Sequence, residues 1–341
     1  MLQERRRFGT PIRELGGVSW HELREYYPTR FDGGHFYLTF AFVATHNHFV
    51  VDRDLRVMNR HAPVIQLREG ASEDDHLALL GVLNSSTACF WLKQVSQNKG
   101  NGGVGGGIGD EDWEPRYEFT GTKLEQFPLP ADLPLNGDRS LDNLAQQLSA
   151  TTPDAIATTA IPTRDRLATA HADWRRLRAR MISEQEELDW DVYRRYGLLS
   201  EAEAAEVLSD GSAEPLNLGE RAFEIVLARQ VAAGLAETQW FVRHGSAPIT
   251  ALPAHWPEPY RRTVEARIAL IDKRRDLALI ERPECKRRWA TEPWEKQQER
   301  ALWNWLLDRL EARDLWFAVD DNGDDQPVPH RAHPCRPGTR R

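Results

Sequence analysis

A chain of 341 residues, 40% hydrophobic and 28% charged, is long enough for two domains that each bury a core. No apolar run approaches the roughly 20 residues that span a bilayer, and the arginine-rich stretch after Met1 lacks an apolar signal core, so membrane and secreted classes are set aside and a cytoplasmic location is expected. The net charge of -8 argues against a strong non-specific grip on nucleic acid, although base readout is local and phosphate contacts can come from an attached domain.

In chain order, Phe36 to Val51 is dense in aromatic and β-branched residues without proline, which predicts one or two buried strands with a polar turn at His46-Asn47-His48. Val57 to Leu67 predicts a further strand, bent or at an edge because of Pro63. A small mixed sheet follows. Ser72 with Asp75 three residues on marks a helix start, and Leu77, Leu80 and Leu83 carry its apolar face to a break at Leu83-Asn84-Ser85-Ser86. There Asn84 is expected to satisfy freed backbone groups. A second, aromatic helix runs through Phe90-Trp91-Leu92-Lys93-Gln94.

Seven glycines lie between Asn98 and Asp112. A phosphate-cradling loop needs a strand before it and a helix after it, whereas here a helix precedes and Trp113-Glu114-Pro115 follows, so no nucleotide fingerprint is read. Two readings stand, a loop that orders against DNA and a mobile connection inside a domain. Ala131 to Pro162 reads as a linker with one short helix near Leu141 to Leu148. Leu167, Trp174, Met181 and Leu188 then recur every seven residues, the apolar stripe of a long helix packed on a core. Its arginines from Arg164 to Arg180 read as a solvated face. Further helices are predicted from Glu258 to about Ile280 and from Pro293, in a first-turn position, to Trp316. Beyond Asp320 the composition is that of a disordered tail.

Few residues nominate chemistry. His46 and His48 sit two apart, as strand ligands could, with Asp52 near and His35 and His61 within possible reach, but an H-x-H pair is weak evidence for a metal. Polar groups at a strand end, open to DNA, are the better reading. Glu184 to Asp191 supplies carboxylates with no matching general acid or base, and Asp320 to Asp325 lacks the glycine and closing glutamate of a calcium loop. Cys89, Cys285 and Cys335 match no zinc spacing and are expected reduced, Cys89 in a core. Neither a cofactor-binding glycine motif nor an Asn/Asp-Pro-Pro-aromatic loop for a flipped adenine occurs.

Three segments together resemble the PglX-type adenine-specific DNA methyltransferases of BREX and phage-growth-limitation defence. They are Phe40 to Val50, Leu80 to Gln94 and Gln185 to Tyr193; Leu218 to Glu224, Trp240 to Gly245 and Ile280 to Trp289 agree. The similarity runs from about Phe8 to about Phe317 and concerns the part that follows the family's catalytic domain. It implies a target-recognition and helical region of such an enzyme, without methyl transfer or S-adenosylmethionine binding of its own, and a truncated or split gene is the expectation.

The fold expected is therefore α+β, a small mixed-sheet recognition domain over 1–130, a linker over 131–162, a helical domain over 163–318 and a tail over 319–341. The partner expected is double-stranded DNA, with a separate methyltransferase domain and other defence proteins beside it and no membrane. The donors expected to touch bases or phosphates are His46, Asn47, His48, Arg53, Lys93, Asn98, Lys99, Arg116 and Lys123. No catalytic, cofactor or metal residue is nominated. The rival reading is a scaffold module that docks a protein partner through its tryptophan-rich helices, near Trp294, Trp303 and Trp305. A metal-dependent nuclease resting on His46 and His48 is a weaker third.

Overall fold

The computed structural model describes residues 6–7, 10–11, 36–54, 61–100, 114–209, 211, 213–319 and 325–328. Most of the glycine-rich loop, His35 and Cys335 lie outside the described residues. The fold is α+β, and its described strands all pair antiparallel, where a mixed sheet was expected.

Short strands β1 (Arg6–Arg7) and β2 (Thr10–Pro11) pair with each other. Next come β3 (Tyr37–Phe40), β4 (Val43–Ala44), β5 (Phe49–Asp52) and β6 (Val64–Ile65). The first three divide the aromatic run that the sequence predicted as strand. β3 lies between β5 and β6, and all four of its residues are buried because both faces are covered. Helices α1 (Glu73–Asn84) and α2 (Ser86–Val95) pack on this sheet, closing a core of Leu38, Phe40, Phe49, Val82, Leu83 and Leu92. After α2 the chain forms β7 (Gln97–Gly100) and β8 (Arg116–Glu118), which join β4 in a second sheet of order β4-β8-β7.

The α1–α2 break is built from short-range hydrogen bonding. Ser72 Oγ accepts from Asp75 N while Asp75 Oδ2 accepts from Ser72 N, the reciprocal cap that fixes the start of α1. At the other end Ser85 N donates to Val82 O, and Ser85 Oγ accepts from Ala88 N to begin α2. The carbonyl freed at Leu83 accepts from Asn47 Nδ2 at 2.6 Å, and the same amide donates at 3.0 Å to Ser85 O, which also accepts the first α2 bond from Cys89 N. Asn84, expected to serve the freed groups, instead pairs with both backbone groups of Phe49, at 2.9 and 3.0 Å. Two asparagines thus exchange places, each satisfying the other's strand or helix end.

The remaining helices are α3 (Gly121–Leu124), α4 (Leu135–Ala150), α5 (Pro153–Thr159), α6 (Arg164–Arg195), α7 (Glu201–Val207), α8 (Ala222–Ala232), α9 (Trp240–His244), α10 (Glu258–Lys273), α11 (Arg275–Ile280), α12 (Trp294–Glu311) and α13 (Arg313–Trp316), before the hairpin of β9 (Phe317–Val319) and β10 (Asp325–Pro327). α4 packs against both α1 and α6 and so joins the two halves of the molecule. The stripe predicted on α6 is buried at Leu167, Leu177, Met181 and Leu188, and from Met181 onward burial extends around the helix. That segment meets α7, α8, α10 and α11 in a core with Trp190, Tyr193, Ile225, Tyr260 and Ile268. The helix predicted over 258–280 is divided at Arg274, whose backbone is extended and whose guanidinium bridges Glu203 and Asp276.

Candidate nucleic-acid interface

The two halves meet along residues 281–289, and the chemistry there is ionic. Lys286 is fully buried, with Nζ 2.8 Å from Asp189, 3.0 Å from Glu281 and 3.2 Å from Glu186. Asp189 also accepts from Ser86, at 2.8 Å from the backbone N and 2.5 Å from Oγ, so the first residue of α2 is tied to α6. Tyr193 donates to Glu281 at 2.5 Å. Burial opposes the charge on Lys286, but Asp189, Glu186 and Glu281 outweigh it and hold the ammonium protonated. The excess of carboxylates appears at Glu186, where burial, opposed by Lys286, pushes the acid up to about 7. Beside this hub, fully buried Arg221 forks onto Glu224 with two contacts of 2.9 Å and donates to Arg287 O at 2.8 Å, while Trp240 Nε1 donates to Glu224 at 3.0 Å. Lys286 and Arg221 each lie against carboxylates inside the protein and face no solvent, so the cluster is a structural joint.

Eight of the nine residues predicted to contact DNA fall into three groups. Asn47 is spent on the helix break, Arg53 bridges Glu73 and Asp142 at 2.6 and 2.7 Å, and Lys93 is buried, donating to Glu284 O at 2.6 Å beside the Tyr117 ring. All three hold elements together. His46 and His48 share the β4–β5 turn, with rings 6.2 Å apart. His46 Nδ1 lies 2.9 Å from Arg288 NH1 and accepts from it, which leaves Nε2 as the donor. Burial, then Arg288 and Arg287, hold its pKa well below the usual histidine range. His48 is exposed at the surface.

Asn98, Lys99 and Arg116 form the third group, on the β7–β8 hairpin. Asn98 and Arg116 are exposed; Asn98 Oδ1 accepts from Gly100 N at 2.6 Å, and Lys99 pairs with Glu118 at 2.5 Å while remaining 41% exposed. The register sets Gly100 against Arg116, so these donors flank the two ends of the glycine-rich loop. Lys123, on α3, is half-buried and stands apart from the hairpin in sequence.

Arg288 was missed as a candidate. It donates to Thr45 at 2.8 Å as well as to His46, and joins the β4–β5 turn to the 281–289 segment. The signal available was the basic run Lys286-Arg287-Arg288 before Trp289, but its partners lie more than 240 residues away. The fold also brings two buried cysteines remote in sequence to the region where α2 meets this segment, the Cys89 thiol donating to Glu284 O at 3.6 Å and the Cys285 thiol to Leu279 O at 3.8 Å. Among the described residues no group of three His, Cys, Asp or Glu side chains could hold a metal, and Asp52, opposite Tyr37 at the far end of β5, does not converge with His46 and His48. No described helix is long and apolar enough to cross a membrane.

Residues 181–333 match a family model described as a domain of unknown function (DUF7008). The chain is similar to the adenine-specific methyltransferase PglX of Streptomyces coelicolor, 53% identical over 308 residues, or 89% of this chain and 25% of that protein. It therefore spans about a quarter of the length of the curated relative it matches, as a C-terminal part of a PglX-type protein would. No solved structure matches the chain.

Proposed function

We propose that this chain, similar to part of a PglX-type adenine-specific methyltransferase, is the part that recognises DNA sequence for such an enzyme, with methyl transfer performed elsewhere. The observation that carries the reading is the β7–β8 hairpin, which offers Asn98, Lys99 and Arg116 at the foot of the glycine-rich loop, beside the β4–β5 turn with His48 and the neutral His46. Arginine and lysine supply phosphate contacts and bidentate guanine contacts, asparagine pairs with adenine, and a neutral imidazole donates one hydrogen bond. Beyond the β4 pairing at Tyr117 and Glu118, the Gly100–Arg116 end of the hairpin is two strands wide, the width of a β-ribbon that a major groove admits. S-adenosylmethionine would bind the methyltransferase part that the resemblance implies, and the methylated adenine would mark self DNA in phage defence.

The test is fluorescence anisotropy of the full chain with a pool of random duplexes at low and moderate salt, followed by sequencing of the retained fraction. An asymmetric motif that weakens in Arg116→Ala supports the reading. Absence of retention at low salt, or retention indifferent to Asn98, Lys99 and Arg116, rejects it.

A second reading, a scaffold that docks a protein partner, is favoured by one observation. The outer side of α12 exposes Trp303, Leu306, Leu307 and Leu310 at helical spacing, with Trp303 59% exposed.

A further inference from the structure

A cavity of about 510 Å³ opens between β5, α1, α4, α6 and the Arg287–Trp289 segment, within the size range of small-ligand pockets. Part of its wall is apolar, made by Leu80, Leu141, Met181 and Leu188. Several of the polar groups around it are already engaged: Arg53 neutralises Asp142, and Asn84 is held by Phe49.

Among the groups on its wall without a hydrogen-bond or ion-pair partner in the described residues are Asp138, Arg287 and the Trp289 indole N–H. Asp138, in the first turn of α4, is 2% exposed, and neither of its carboxyl oxygens has a hydrogen-bond partner. Burial, partly opposed by Arg195, pushes this acid up to about 9, so it is protonated at neutral pH. Its position depends on Gly81 of α1, since a Cβ there would overlap the carboxyl. The second group is Arg287, half-buried over the Trp289 ring at 5.1 Å, with its guanidinium in no hydrogen bond or ion pair among the described residues. Native interiors rarely leave such groups unpaired, because an unmatched buried donor or acceptor is costly.

We propose that the cavity binds a small organic zwitterion, with its ammonium on Asp138, its acidic group on Arg287 and its apolar body along Leu141, Met181 and Leu188. On binding, the ammonium drives the Asp138 proton off to solvent and the carboxylate left behind is its counter-charge in the desolvated site, while the planar Arg287 guanidinium suits a carboxylate or a phosphate. The site uses none of the hairpin donors, and of the proposed reading surface only His48 borders the cavity.

The experiment is calorimetric titration of the full chain with straight-chain ω-amino acids, from aminobutanoate to aminododecanoate. Aminoalkyl phosphates distinguish the two acidic groups, and alkylamines and fatty acids of matching length serve as controls. One chain length is expected to bind best. Arg287→Ala and Asp138→Asn should each weaken it by about tenfold or more, the loss of one charge-assisted contact. Ala145→Trp, on the exposed rim of the cavity, should block it without entering a core. The proposal is overturned if no chain length binds, if amine or acid alone binds as well as the zwitterion, or if Arg287→Ala and Ala145→Trp leave affinity unchanged. Should Asp138→Asn fail to fold, those two variants decide.

Discussion

Lys286 and the β7–β8 hairpin are both sources of positive charge, and their surroundings give them opposite duties. Lys286 has no exposure and three carboxylate partners, while Arg116 stands exposed on its strand and Lys99 has one partner at the surface. A desolvated charge is held by whatever neutralises it and has nothing left to offer a ligand. An exposed one gains little from its neighbour and keeps its donors available. Burial and pairing, rather than residue type, therefore separate the joint of this molecule from its candidate reading surface.

The largest test of that contrast is Lys286→Met. Removing the ammonium leaves Asp189, Glu186 and Glu281 facing one another without a cation, and breaking a buried pair in this way costs about 3–5 kcal/mol. Urea denaturation should record a loss of that size. A loss below about 1 kcal/mol would mean that the hub is not what joins the halves. Ser86→Ala is the milder version, since it removes one hydroxyl from Asp189 but keeps the backbone contact, and about 1–2 kcal/mol is expected.

How much of this could be read from the chain depends on sequence distance. Ser72 and Asp75, three residues apart, cap α1, the break at Ser85 is local, and the stripe on α6 repeats along one element, so each was legible. The hub was not, because Lys286 meets Asp189 across 97 residues and Ser86 meets Asp189 across 103. From spacing alone, Glu184 to Asp191 offered carboxylates without a matching partner, yet Glu186 and Asp189 are buried against Lys286. The same limit applied to Asn47, Arg53 and Lys93, whose donor chemistry was visible and whose partners were not. Asn98 and Lys99 were legible as donors before a glycine-rich loop, but the placing of Arg116 opposite Gly100 and of Glu118 beside Lys99 needed the hairpin register.

Next in size is the reading surface itself. Arg116→Ala should weaken duplex binding by about tenfold if the guanidinium makes a base contact, and should leave unfolding within about 0.5 kcal/mol of the parent because the side chain is exposed. A variant that loses stability instead would place Arg116 with the joint. Between the two regions stands His46, and pH separates it from both. Its folded pKa lies below the unfolded value near 6.5, so the folded state resists protonation and the contribution of neutral His46 is lost as pH falls below 6.5. His46→Gln should therefore flatten the decline in melting temperature between about pH 6.5 and pH 5. An unchanged decline would show that other groups set it.

The smallest effect sharpens the comparison most, because it separates two outcomes in one pair of residues. Lys99 and Glu118 are 2.5 Å apart but partly exposed, at 41% and 21%, so their pairing should add no more than about 1 kcal/mol to stability. Lys99→Ala should leave unfolding nearly unchanged and lower the salt dependence of duplex binding by about one phosphate contact. Glu118→Gln should do the reverse, freeing the ammonium and removing a negative charge that repels phosphate, so binding tightens. If both variants weaken binding equally, the pair acts as a structural clasp for the hairpin. If they move binding in opposite directions at constant stability, Lys99 reaches phosphate and Glu118 restrains it.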